Sequence, residues 1–126
     1  MTPKTYFPAV SFVITFLLTA ASLAAVALFW SNSLMLTGII IAISLAMFAI
    51  KYETKEVIFY LVMAIWGASA ESIEIFFGAW SYSAPDFIGI PFWLPFGWGI
   101  AAIFMTRAWE ELKTFISFRR ASISRA

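Results

Sequence analysis

The stretch from Val57 to Trp80, VIFYLVMAIWGASAESIEIFFGAW, decides how this chain is read. A helix needs about 20 mostly apolar residues to cross a bilayer, and this run supplies them without a proline. It also carries two acids, Glu71 and Glu74. A carboxylate at membrane depth is costly unless it is paired, protonated or facing water, so such a residue marks a functional site by default.

The rest of the chain supports a bilayer setting. Of its 126 residues, 63% are hydrophobic and only 12% charged, with a mean hydropathy of +0.92. Soluble domains carry about a quarter charged residues. Besides 57–80, apolar segments cover about 6–30, 34–50 and 93–112. Only Ser31-Asn32-Ser33 separates the first two, which forces an antiparallel hairpin. The first segment is too long for the apolar part of a signal peptide and is expected to be retained. The expected fold is all-α: a single four-helix bundle in the membrane, covering residues 1–126.

The basic residues give an orientation. Lys4, Lys51, Lys55, Arg107, Lys113, Arg119, Arg120 and Arg125 all fall toward one end, and the connections 31–33 and 81–92 carry none. The positive-inside rule then places both termini in the cytoplasm, across a cell (inner) membrane. Arg107 is read as ending the fourth segment with Glu110, Glu111 and Lys113, its head reaching toward water; the rival placement pairs it with Glu71. The basic run around Arg119 and Arg120 is read as topological charge. A net charge of +1 gives no reason to expect a nucleic-acid partner.

Residues three and four apart share a helix face, so Tyr60, Ala64, Gly67, Glu71, Glu74 and Gly78 are expected to face inward together. Two carboxyls that close in a low dielectric cannot both ionise cheaply, and one should hold a proton. The bland alternative is that they bond the hydroxyl stripe Ser11, Thr15, Thr19 and Ser22. The connection 81–95 holds Pro85, Pro91 and Pro95 with Gly89 and Asp86. It cannot be a regular helix and is expected to cap the outer side. Trp80, Tyr82, Asp86, Trp93 and Trp98 are the candidate ligand contacts, against the plainer reading of an interfacial aromatic belt. With no Cys and no His, thiol chemistry, Ser-His-Asp triads and zinc sites built from those residues are excluded. No metal or cofactor is expected.

The run Glu71-x-x-Glu74-x-x-x-Gly78-x-Trp80-x-Tyr82, followed by Gly89-x-Pro91-x-Trp93-x-Pro95-x-x-Trp98-Gly99, resembles the carotenoid-biosynthesis membrane proteins, namely the lycopene cyclase domains and carotenoid hydratases. The resemblance covers about residues 71–99. It implies that Glu71 or Glu74 protonates a polyene double bond while the aromatics shield the cation. The further acidic pairs of the cyclases are missing. Small multidrug antiporters also have four helices and a membrane glutamate, but there it lies on the first helix. Three functions are therefore carried forward. The first is acid catalysis on, or binding of, a lipid-soluble isoprenoid-like ligand. The second is proton-coupled transport of small molecules, and the third an accessory or assembly role in a larger membrane complex. As partners, the bilayer, a lipid-soluble small molecule and either a homo-oligomer or a larger membrane complex are carried forward.

Overall fold

The computed structural model describes residues 5–125; Lys4 lies outside them. The chain is all-α, with helices α1 (Val10–Phe29), α2 (Ser33–Ile50), α3 (Thr54–Phe76) and α4 (Leu94–Ser124) and no strand among the described residues. Three of them, α1, α2 and α3, are long and apolar enough to cross a membrane. In α4 the apolar stretch is interrupted by Arg107 and gives way to a charged C-terminal half.

Polarity runs opposite to that of a soluble protein. In α1 the buried residues are Thr15, Ser22 and Ala25, while Phe16, Leu17, Leu23 and Leu28 are exposed. The hydroxyls bond their own helix rather than an acid: Thr15 Oγ1 donates to the Ser11 carbonyl at 2.7 Å, Thr19 to Thr15 at 2.8 Å and Ser22 to Thr19 at 2.6 Å. Small hydroxyl residues let helices approach where lipid makes burial of hydrocarbon no advantage.

Helix α4 is the centre, packing against each of the other three. Its contact with α3 is reciprocal. The Trp98 indole of α4 lies over Gly67 of α3, and the Tyr60 ring of α3 lies over Gly99 of α4. A Cβ at either glycine would collide with the facing ring. Tyr60 also reaches α2, with its hydroxyl 2.8 Å from Ser44 Oγ. Ser44 spends its single proton on the Ile40 carbonyl, so Tyr60 is the donor.

At the end of the molecule that carries the termini, Arg107 is only 3% exposed. The expectation that its head reaches water is overturned, and so is its pairing with Glu71. Its Nε bonds Glu56 Oε2 at 2.9 Å, Nη1 bonds Thr15 Oγ1 at 2.7 Å, and Nη2 bonds the Met47 and Lys51 carbonyls at 3.0 and 2.8 Å. A guanidinium this deep persists only when its donors are satisfied. The Met47 carbonyl, which also accepts from the Lys51 amide at 3.3 Å, and the Lys51 carbonyl just past the end of α2 supply part of that need.

Four helix boundaries differ from the sequence reading by more than one residue. The first is the start of α1, which begins at Val10, after Pro8, rather than near Tyr6. Helix α3 stops at Phe76 rather than Trp80, because Gly78 takes the left-handed conformation (φ +85°). The Ala79 and Gly78 amides then bond the Glu74 and Ile75 carbonyls at 3.0 and 2.9 Å, a Schellman ending. Helix α3 begins at Thr54, before Val57, with Glu56 in its first turn, where an acid suits the helix dipole. Helix α4 continues to Ser124 instead of ending near 112, since no proline or glycine stops it.

Two predictions follow from this packing. Gly67→Ala should lower stability in detergent by about 1–3 kcal/mol through overpacking. Gly38→Ala, with nothing within 4 Å of the new methyl, should be neutral or slightly stabilising; thermal unfolding of both variants checks the contrast. Arg107→Ala should cost about 3–5 kcal/mol by stranding Glu56, and Arg107→Leu combined with Glu56→Leu should recover part of the loss. Equal losses in single and double variants would contradict the ion-pair account.

Candidate functional site

The end of the bundle opposite the termini carries the connection 77–93, and its polar centre is Glu71. Gly67 lets Trp98 settle against α3 one turn below that carboxyl, and this brings the indole within reach. Trp98 Nε1 donates to Glu71 Oε1 at 3.0 Å. The Tyr82 hydroxyl makes a short hydrogen bond to Glu71 Oε2. Indole N–H is a donor only, so both carboxyl oxygens face hydrogen-bonding groups from α4 and the connecting segment. Tyr82 in turn meets Trp93 edge-on, with ring centroids 6.2 Å apart and planes at 89°. Glu71, Tyr82, Trp93 and Trp98 are thus brought together.

Glu74, Trp80 and Asp86 are not part of this group. Glu74 is exposed, which corrects the inward-facing pair. Three residues turn a helix by about 300°, so Glu74 sits about 60° round from Glu71 and past the α4 contact. The mutual repulsion that would force a proton onto one of the two acids loses its basis. Trp80 lies beyond the α3 terminus and is 43% exposed.

Asp86 holds the cap in place. Its Oδ2 accepts from the Phe92 amide at 2.9 Å and from the Ser33 hydroxyl at the start of α2. Between these anchors Phe87 and Ile90 form a two-residue hairpin, with amide-to-carbonyl bonds of 3.1 and 2.8 Å. Ile88 (φ +43°) and Gly89 (φ +81°) sit at its tip. Pro91, Trp93 and Ile90 are buried beneath it. The cap is therefore tied to α2 through Asp86 and to α3 through Tyr82 rather than laid loosely over the bundle.

Beside Tyr82 lies a recess of about 150 Å³ lined by Val26, Trp30, Tyr82, Pro91 and Trp93, among others. One ring, that of Tyr82, both walls this space and bonds Glu71. At the opposite end, Lys51, Glu53, Lys55, Glu110 and Arg107 line a polar cavity of about 300 Å³. Its exposed ion pairs are 3.3–3.8 Å long and contribute little each. The hydrogen bond from Lys55 holds the Glu53 carboxyl below its usual value. No group of His, Cys, Asp and Glu able to hold a metal ion is present among the described residues.

The sequence reading passed over Glu56. Its signal was an acid in the first turn of α3, level with Arg107 and with Thr15 of the hydroxyl stripe. No protein-family model, curated protein or solved structure matches the chain.

Burial raises the Tyr82 phenol above its ordinary value of 10.0, and the bond to Glu71 and that group's negative charge raise it further. A folded-state value above the unfolded one gives stability that is complete below about pH 10 and is lost as pH rises through the folded value. Wild-type stability should therefore fall more steeply above pH 10 than that of Tyr82→Phe, which lacks this titration. Unfolding midpoints across pH 8–11 test the difference, and parallel curves would rule it out.

Proposed function

We propose that this chain is a four-span protein of the cell (inner) membrane, with both termini cytoplasmic. In this reading the cap end takes the end of a lipid-soluble, isoprenoid-like ligand and Glu71 handles a proton through Tyr82. The observation that carries the reading is the double position of Tyr82, whose ring walls the recess and whose hydroxyl bonds Glu71. The packing of α4 against the three apolar helices supports its being the fourth span. The gathering of Lys55, Lys113, Arg119 and Arg120, all exposed, at the end with the termini supports the orientation.

The chemistry that fits is protonation of a carbon–carbon double bond. Tyr82 passes its hydroxyl proton to the alkene carbon as a new C–H bond forms and the π bond breaks. Glu71, the charged acceptor of the Tyr82 hydroxyl in the resting site, first takes up a proton from outside, then passes it to the phenol oxygen and is left as carboxylate again. The neighbouring carbon becomes cationic beside Trp30 and Trp93, whose ring faces stabilise positive charge. Loss of a proton or addition of water then ends the sequence. Because Tyr82 is held protonated, it acts as a conduit rather than as an ionised base.

Glu71→Gln should reduce turnover of an added polyene by at least about 100-fold, the contribution expected of a positioned acid. Tyr82→Phe should also reduce it, while Glu74→Gln should leave it unchanged. Membranes carrying each variant, followed by product chromatography and by the visible absorbance of the polyene, give the measurement. Turnover that survives Glu71→Gln would sink the proposal.

A further inference from the structure

The recess beside Tyr82 has a second property, set by its walls rather than by proton transfer. Three of its lining residues, Trp30, Tyr82 and Trp93, are aromatic, and none is charged. Tyr82 and Trp93 stand with their planes at 89°, so they wall the space from different sides. Trp30 joins them from the end of α1. An aromatic ring carries negative charge density on its face and attracts a cation, most strongly once the cation is desolvated. Several rings around one small space are the arrangement that holds alkylated ammonium ions.

The charge of this end points the same way. Between Lys55 and Arg107 the chain has no Lys or Arg, and the turn 31–33 has none. Among the described residues, the half of the bundle under the cap therefore holds three carboxylates, Glu71, Glu74 and Asp86, and no basic side chain. Glu71 acts on the recess through Tyr82. A phenol whose hydroxyl donates to a carboxylate is polarised by that bond, which makes its ring a better partner for a cation. A ligand carrying its own phosphate would set that anion among three acids with no base to receive it.

We propose that the recess is a binding site for an alkyltrimethylammonium ion, a fixed positive charge clothed in methyl groups. A quaternary nitrogen has no N–H, so it needs no hydrogen-bond acceptor from walls made mostly of rings and hydrocarbon. The volume, about 150 Å³, is that of cavities which hold a benzene-sized guest, and a trimethylammonium head is of that size. The proposal rests on the reading above in one respect, that the recess admits a ligand.

The test is methyl NMR of three ligands with the full chain in neutral, deuterated detergent, compared at equal free concentration. They are hexyltrimethylammonium, its uncharged isostere with carbon in place of nitrogen, and hexylphosphocholine. Wild type should shift the ammonium methyls upfield, the mark of enclosure by ring faces. It should bind that ion about tenfold more tightly than either of the others. Trp30→Leu and Trp93→Leu should each weaken ammonium binding severalfold and leave the isostere nearly unchanged. Glu71→Gln, which keeps an acceptor for Tyr82 but removes the charge, should also weaken the ammonium alone. Trp80→Leu, outside the recess, should alter neither.

Equal affinity of wild type for the charged and uncharged ligands overturns the proposal, as does ammonium binding that survives both tryptophan variants. Hexylphosphocholine bound as tightly as the simple ion overturns it too. Should Trp93→Leu fail to fold, the exposed Trp30 and the wild-type preference still decide. Turnover that survives Glu71→Gln would sink the proton reading and leave this preference standing. Binding blind to charge would sink the ammonium site and leave the turnover assay as it is.

Discussion

One buried cation ties all four helices together. Arg107 belongs to α4, its carboxylate partner Glu56 to α3, and its hydroxyl acceptor Thr15 to α1. Its carbonyl acceptors are Met47 of α2 and Lys51 just after it. Apolar contacts between helices in lipid are weakly directional, because hydrocarbon is equally available from acyl chains. A guanidinium has five N–H groups in a fixed planar fork, so its acceptors must arrive at set positions. Without that constraint four greasy helices could slide or rotate at little cost. With it, register and rotation at the end with the termini are set, although the net stabilisation is modest once desolvation is counted.

The register set by Arg107 determines what meets at the other end of α3 and α4. Nine residues before Arg107 on α4, Trp98 packs against α3. Gly67 leaves room for the indole there, and Tyr60 fills the complementary space over Gly99. The exchange of ring for glycine in both directions brings the backbones close. It also carries the indole N–H to Glu71. The acid therefore lies where it does through helix packing, and Tyr82 reaches it because the cap is held down separately by Asp86 and Ser33.

Much of this was legible in the sequence, for identifiable reasons. Apolar run length revealed the three membrane-competent helices, since length and hydropathy are local properties. The face shared by Tyr60, Ala64, Gly67 and Glu71 followed from the helical period, and all but Glu71 are buried there, with Glu71 itself half-buried. Glu74 was misread because a shared face was extended past the point where the neighbouring helix contacts it. The α3 end was misread because hydrophobicity continues through Trp80 while the backbone turns at Gly78; glycine chemistry outweighed hydropathy. Arg107 was assigned to water because a sequence shows an arginine but not its acceptors. Three of those are in other helices, and two are backbone carbonyls with no sequence signature. Asp86 was read as a ligand contact, and its partners Ser33 and Phe92 show that its carboxylate is used to anchor the cap.

This accounting of polar groups narrows where chemistry can occur. Arg107 and Glu56 satisfy each other, Asp86 is spent on the cap, and the α1 hydroxyls bond their own backbone. Glu71 is held as well, but by a phenol whose ring walls an apolar recess, whereas the Arg107 network borders a polar cavity. Ser72 stands next to Glu71 in sequence, yet it bonds neither the backbone nor the acid. Among the described residues the Ser72 hydroxyl is the buried side-chain group left without a partner, and it lies at the cap end, as does the Tyr82 phenol that walls the recess. Elsewhere among the described residues the buried side-chain polar atoms are satisfied, so the exception falls at that end of the bundle.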